Sequence, residues 1–148
     1  MKILLVNGVN LNFLGLRDAA QYGSTNYEDL INSLEKKAKE LNVDLECFQS
    51  NHEGAIVDKL QEAYLKGVDA IIINPGAFTH YSYAIRDALE IFTCKKIEVH
   101  ISHIHKREAF RHTSVIAPVC DAQISGFGVK GYELALEYLC EVVKIIID

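Results

Sequence analysis

Five short apolar runs, each followed by an amphipathic or polar stretch, constrain this chain more than any other feature. "KILLV" (2–6), "VDLECF" (43–48), "DAIIIN" (69–74), "KIEVHI" (96–101) and "DAQIS" (121–125) have the length and composition of strands. "TNYEDLINSLEKKAKEL" sets Leu30, Ile31, Leu34, Ala38 and Leu41 on one helical face behind a capping box at Thr25 and Glu28. "SNHEGAIVDKLQEAYLKG" repeats the signal with Ser50 and Glu53 and stops at Gly67. Further helices are expected around 81–92, near 106–110 and from about 131 to 147. Such alternation means an α/β protein with a parallel sheet. Continuous apolar runs like "DAIIIN" suit strands covered on both faces. The expected architecture is a flavodoxin-like three-layer sandwich in one domain (1–148), its five parallel strands ordered 2-1-3-4-5 with helices on both faces.

That order predicts where a ligand goes: beyond the carboxyl ends of the strands, at the switch point of the sheet. The residues following the strands are accordingly informative. Asn7, Gly8, Asn10, Asn12, Arg17 and Tyr22 follow the first; Gln49, Ser50, Asn51 and His52 the second. Asn74, Pro75, Gly76, Thr79 and His80 follow the third. His100 ends the fourth, leading to Ser102, His103, His105, Arg107, Arg111 and His112, and Ser125, Gly126 and Gly128 follow the fifth. Histidine, arginine and asparagine concentrate at this one end, which reads as a functional face.

Charge and composition narrow the occupant. Fifteen basic against twenty acidic residues, a formal net charge of −5, argue against a nucleic-acid partner but leave room for a small anion. Cysteines 47, 94, 120 and 140 form no C-x-x-C pair and are expected as buried free thiols in a reducing cytoplasm. The apolar run of "MKILLVNG" is too short for a signal peptide, and "LALEYLCEVVKIIID" carries Glu137, Glu141 and Lys144, so no membrane span is expected. His100, His103 and His105 match no common zinc spacing, and no metal is expected. Neither a P-loop nor a dinucleotide fingerprint follows the first strand, and no serine sits in a G-x-S-x-G setting.

Three local patterns carry chemistry. In "INPGAFTH" (73–80) Asn74 ends a strand at a turn, where its amide and the following N–H groups suit an anion; the stretch also reads as turn punctuation alone. In "EVHIS" (98–102), Glu98 and His100 are two apart on a strand and share a face. A carboxylate there fixes the imidazole tautomer and readies it as acid or base, while the alternation fits an exposed edge as well. In "GLRDAAQYG" (15–23), Arg17 stands five residues from Tyr22 on a loop. Tyrosine titrates at about 10, and making it a base near neutrality asks for about 3–4 kcal/mol of extra stabilisation of its anion. A guanidinium within about 4–6 Å supplies that kind of stabilisation. The alternative is a loop tyrosine capping the core.

Taken in order, "VNGVNLNFLGLRD…YG", "FQSNHEGAIVDKLQEA", "IIINPGAFTHYSYAIRDAL", "IEVHISHIHKREAFRHTS" and "ISGFGVKGYELAL" resemble type II 3-dehydroquinate dehydratase over nearly the whole chain. The resemblance implies a shikimate-pathway lyase of flavodoxin-like fold, without a cofactor, assembled as a homododecamer of trimers in the cytoplasm. It further implies that Tyr22 takes the proton from C2 of 3-dehydroquinate, with Arg17 keeping it as phenolate, and that Asn10 stabilises the enolate through a water. His100, oriented by Glu98, would protonate the leaving hydroxyl at C1. Asn74 and the backbone N–H groups of Ile101 and Ser102 would hold the carboxylate, His80 and Arg111 the ring hydroxyls, and Asp87 would reach a neighbouring subunit's site. Arg107 is left as a structural or lid-supporting residue. No lysine stands at a strand end in the predicted pocket, so the imine chemistry of the other dehydratase class is not expected.

The chain departs from the family pattern at Val9, at Asp18-Ala19, at Phe78 and His103, and at Tyr81 and Tyr83. Val9 and Ala19 replace prolines and should loosen the loop. Tyr81, next to His80, is expected to alter the rim of the pocket. The rival readings are a lyase or isomerase on a related cyclic carboxylate, a non-catalytic binding module of the same fold, and a flavin or nucleotide binder.

Overall fold

The computed structural model describes residues 1–147. Its strands are β1 (Lys2–Asn7), β2 (Asp44–Gln49), β3 (Ala70–Asn74), β4 (Lys95–His100) and β5 (Ala122–Ser125). All pair in parallel in the order β2-β1-β3-β4-β5, as the alternation predicts, and the switch point falls between β1 and β3. The helices are α1 (Ala19–Tyr22), α2 (Tyr27–Glu40), α3 (Glu53–Lys66), α4 (Tyr83–Glu90) and α5 (Lys130–Ile147).

Strand alternation divides the core in two. Ile3 and Leu5 of β1, Ile72 of β3 and Ile97 and Val99 of β4 face α2 and α5, where they meet Leu30, Leu34, Leu136 and Leu139. Leu4, Val6, Ile71 and Ile73 point the other way onto Ile56 and Leu60 of α3 and Ile85 and Leu89 of α4. The apolar face expected for α2 is the one that packs, with Ile31 and Leu41 at its margin.

Local boundaries differ from the sequence reading in instructive ways. Asn26, not Thr25, caps α2, its side chain accepting from Asp29 N–H at 2.8 Å; Asn competes well for the cap position. α3 begins after His52, and Ser50 Oγ instead accepts from His52 N–H in a tight turn. Ser82 caps α4 by accepting from Ile85 N–H. The expected short helix near 106–110 is replaced by two 3₁₀ turns, Ile104–Lys106 and Ala109–His112, with Arg107 between them. The loop after β1 carries the unexpected single turn α1, capped by Asp18.

At the switch point the ends of β1 and β3 touch backbone to backbone. A Cβ on Gly8 would lie 2.1 Å from Pro75 O, and one on Gly76, at φ 63°, would lie 2.6 Å from Val9 O. Only glycine permits this approach, and it fixes the spacing of the two loops that follow.

Candidate active site

A cavity of about 140 Å³ opens beyond the carboxyl ends of β1, β3 and β4. It is smaller than the roughly 300 Å³ at which pockets for drug-sized ligands begin, and suits one small ring rather than a flavin or nucleotide. Asn10, Arg17 and Tyr22 border it from the first loop, Asn74, Gly76 and His80 from the second. His100, Ile101, Ser102, Arg107 and Arg111 complete it from the third. The other two loops only brace these. Asn51 Oδ1 accepts from Asn10 N–H at 2.9 Å, and Ser125 Oγ accepts from Ile104 N–H and donates to Ser102 O. The single functional face read across all five loops is thus narrower, three loops with two supports.

Tyr22 does two things at once. Its ring is buried in the core shared with α2 and α5, and its hydroxyl oxygen accepts from Arg17 Nη2 at 2.9 Å. Arg17 also stacks on the ring, its guanidinium carbon 3.8 Å from the centroid. A second guanidinium, missed from sequence, joins it. Arg107 Nη1 donates to the same phenol oxygen at 2.8 Å and to Ser102 Oγ at 3.0 Å. Arg107 therefore belongs to the site and not to its scaffold. The available signal was its place among the polar residues that follow the fourth strand. A phenol oxygen with two charged donors is held as an acceptor.

Glu98 and His100 are buried, not on an exposed edge. Glu98 Oε1 accepts from His100 Nε2 at 2.8 Å and from the hydroxyls of Thr79 and Ser114, while Oε2 accepts from Gln123 Nε2 at 2.8 Å. Burial works to raise the Glu98 pKa, but the His100 hydrogen bond and charge, with the Thr79 and Ser114 hydroxyls, hold it below the usual carboxylate range. Glu98 is therefore an anion whose partners are all donors. It fixes the proton on His100 Nε2 and leaves Nδ1 to the cavity.

His80 donates from Nδ1 to Thr113 O at 2.9 Å, which leaves Nε2 as an acceptor in the neutral ring. Burial lowers its pKa, partly offset by the Thr113 bond, with His100 and Arg111 adding to the lowering. Arg111 is tied through Nε to Glu108 at 2.8 Å, keeping its outer nitrogens near the cavity. Asn10 sits at φ 67°, a left-handed conformation that asparagine tolerates. Asn74 is buried, with Oδ1 accepting from Gly76 N–H at 3.0 Å.

Other expected residues stand apart. Asp87 is exposed on α4, outside the cavity of its own chain. Tyr81 and Tyr83 are exposed as well; Tyr81 packs edge-on to Phe78 and does not form the rim. His103, His105 and His112 line up on the surface at ring separations of 6.0 and 5.9 Å. Among the described residues no group of three or more His, Cys, Asp or Glu is arranged to hold a metal ion, and no helix is long and apolar enough to cross a membrane. Cys140 is buried and the other cysteines are half-buried, all free. Burial pushes the Cys47 and Cys120 thiols up to about 12, so neither is a nucleophile at neutral pH.

Fold and site together define a class: an α/β protein with an acid–base site, a phenol held by guanidinium groups beside an imidazole held by a carboxylate. The sequence profile of the family described as "Dehydroquinase class II" matches residues 1–140, and the chain belongs to that family. It is 60% identical over 143 residues to a 3-dehydroquinate dehydratase of Lachnospira eligens, covering 96% of this chain and 97% of that protein. A 3-dehydroquinate dehydratase of Caldicellulosiruptor bescii is 59% identical over 142 residues, covering 96% and 98%. The crystal structure of a type II dehydroquinase from Butyrivibrio crossotus superposes with a TM-score of 0.92 at 60% identity, covering 94% of this chain and 97% of that one.

Proposed function

We propose that this chain is a type II 3-dehydroquinate dehydratase, a hydro-lyase that removes water from 3-dehydroquinate in anti fashion through an enolate. The observation that carries the assignment of roles is the phenol oxygen of Tyr22, bonded by Arg17 and Arg107 in the cavity that His100 also borders. Tyr22 takes the proton at C2, which is acidic because it lies next to the C3 carbonyl. Two guanidinium groups stabilise the charge on Tyr22 that makes this possible. Asn10 stabilises the enolate oxygen through a water. His100 then gives a proton to the C1 hydroxyl as it leaves, and Glu98 supports the imidazolium that donates it.

Binding is shared among the remaining residues. Asn74 and the N–H groups of Ile101 and Ser102 hold the carboxylate at the turn after β4, while His80 and Arg111 hold ring hydroxyls. Arg107 holds Tyr22 together with Arg17. Asp87 reaches a neighbouring subunit's site in a tetramer of trimers, a reading supported by its exposure on α4 beside the exposed Tyr81 and Tyr83. The enzyme works in the cytoplasm, where free thiols persist.

The test is ultraviolet absorbance on mixing with 3-dehydroquinate, because elimination creates a conjugated enone carboxylate. The signal should rise with wild type, survive borohydride treatment and vanish in Tyr22→Phe. A well-folded wild type that gives no signal would leave the binding-module reading in its place.

A further inference from the structure

Behind Asn74 lies a polar chain that no part of the reaction uses directly. Tyr132, in the first turn of α5, is fully buried, as is Asn7 at the end of β1. Asn74 Nδ2 donates to Tyr132 Oη at 2.7 Å, and Tyr132 Oη donates to Asn7 Oδ1 at 2.6 Å. The direction of the chain follows from one fixed donor. Gly76 N–H can only donate, so Asn74 must turn Oδ1 toward it and Nδ2 toward Tyr132. The tyrosine oxygen then accepts and its proton goes on to Asn7. Burial pushes the Tyr132 phenol well above its ordinary range, so it keeps the proton that this chain needs.

We infer that Tyr132 is a positioning residue for substrate binding. It holds the Asn74 amide so that the second Nδ2 hydrogen is presented to the substrate carboxylate. The inference rests on the carboxylate role proposed above for Asn74. Three polar side chains meet here in the core, where apolar side chains would pack with no hydrogen-bonding group to pair. What the arrangement does achieve is to lock an amide that could otherwise rotate, using elements 58 residues apart. The carboxylate is unchanged in the reaction, so its grip is equal in substrate and transition state. Loosening that grip raises KM and leaves kcat alone.

The experiment is a double-mutant cycle of Tyr132→Phe and Asn74→Ala with 3-dehydroquinate, reading KM, kcat and Tm. Tyr132→Phe keeps the ring and should raise KM about tenfold with kcat within about twofold. In the Asn74→Ala background it should change KM no further. Asn7→Ala, which frees the Tyr132 proton, should raise KM in the same direction by a smaller factor and serves if Tyr132→Phe does not fold. A lowered Tm with unchanged KM in Tyr132→Phe or Asn7→Ala, while Asn74→Ala raises KM, would make the chain structural only and overturn the inference. An unchanged KM in Asn74→Ala would instead remove the carboxylate role itself, and the inference with it.

Discussion

Replacing Glu98 by Gln tests the acid side of the site with almost no change in volume. The carboxylate is fully buried and receives His100 Nε2, two hydroxyls and Gln123 Nε2. The hydroxyls of Thr79 and Ser114 can rotate to suit an amide, but His100 and Gln123 both approach as donors. The substituted amide has one oxygen and one NH₂, so one of the two loses its acceptor or must give up its tautomer. In either arrangement the imidazolium of His100 loses its counter-charge. A hydrogen bond to a charged group contributes about 1.5–3 kcal/mol, and each 1.36 kcal/mol is tenfold in rate. kcat should therefore fall by about ten- to 150-fold, with KM changed by less than about threefold because Glu98 is not a cavity-lining group. The assay is initial-rate absorbance of the enone product at neutral pH, with circular dichroism to confirm the fold. A kcat within about twofold of wild type would refute the argument that this carboxylate powers the acid.

Two further outcomes follow from the same geometry. Arg107→Leu removes one of two charged donors to Tyr22 and should lower kcat at least about tenfold, on the scale of a charged hydrogen bond; a change confined to Tm would return Arg107 to the scaffold. Acid should unfold the protein partly through Glu98, whose folded pKa is depressed: its contribution is present above the unfolded value of about 4.3 and is lost as pH falls through the folded value. Urea midpoints measured from pH 6 downward should fall more steeply below about 4.3 in wild type than in Glu98→Gln, and parallel curves would remove the claim.

The sheet was legible because a doubly covered parallel strand is written as an uninterrupted apolar run, of which Ala70–Asn74 is the plainest case. Most of the site was legible too, since a parallel α/β sheet delivers the residues after its strands to one end. Helix starts were less so: Thr25 and Asn26 both make good caps, and only the turn geometry selects Asn26. Arg107 was misplaced because its partner Tyr22 lies 85 residues away, on a loop whose path no local pattern dictates. Tyr132 was invisible for the opposite reason. It occupies a core position of an amphipathic helix, and periodicity records that a residue is buried without recording what its hydroxyl touches. Tyr81 follows His80 directly in the chain, yet it is exposed and stands outside the residues that border the cavity, which adjacency in sequence does not reveal.

The double life of Tyr22 has a mechanical consequence. Because its ring is embedded in the α2–α5 side of the core, the 15–23 segment cannot swing outward without drawing apolar surface into water. Full exposure of a side chain that size costs about 1.5–3 kcal/mol, which alone would hold the opened arrangement to between about one part in ten and one part in 150. The segment thus behaves as a sprung latch: the hydrophobic core is the spring that returns it. Any outward movement of the segment is thus opposed by the same packing that holds the protein folded.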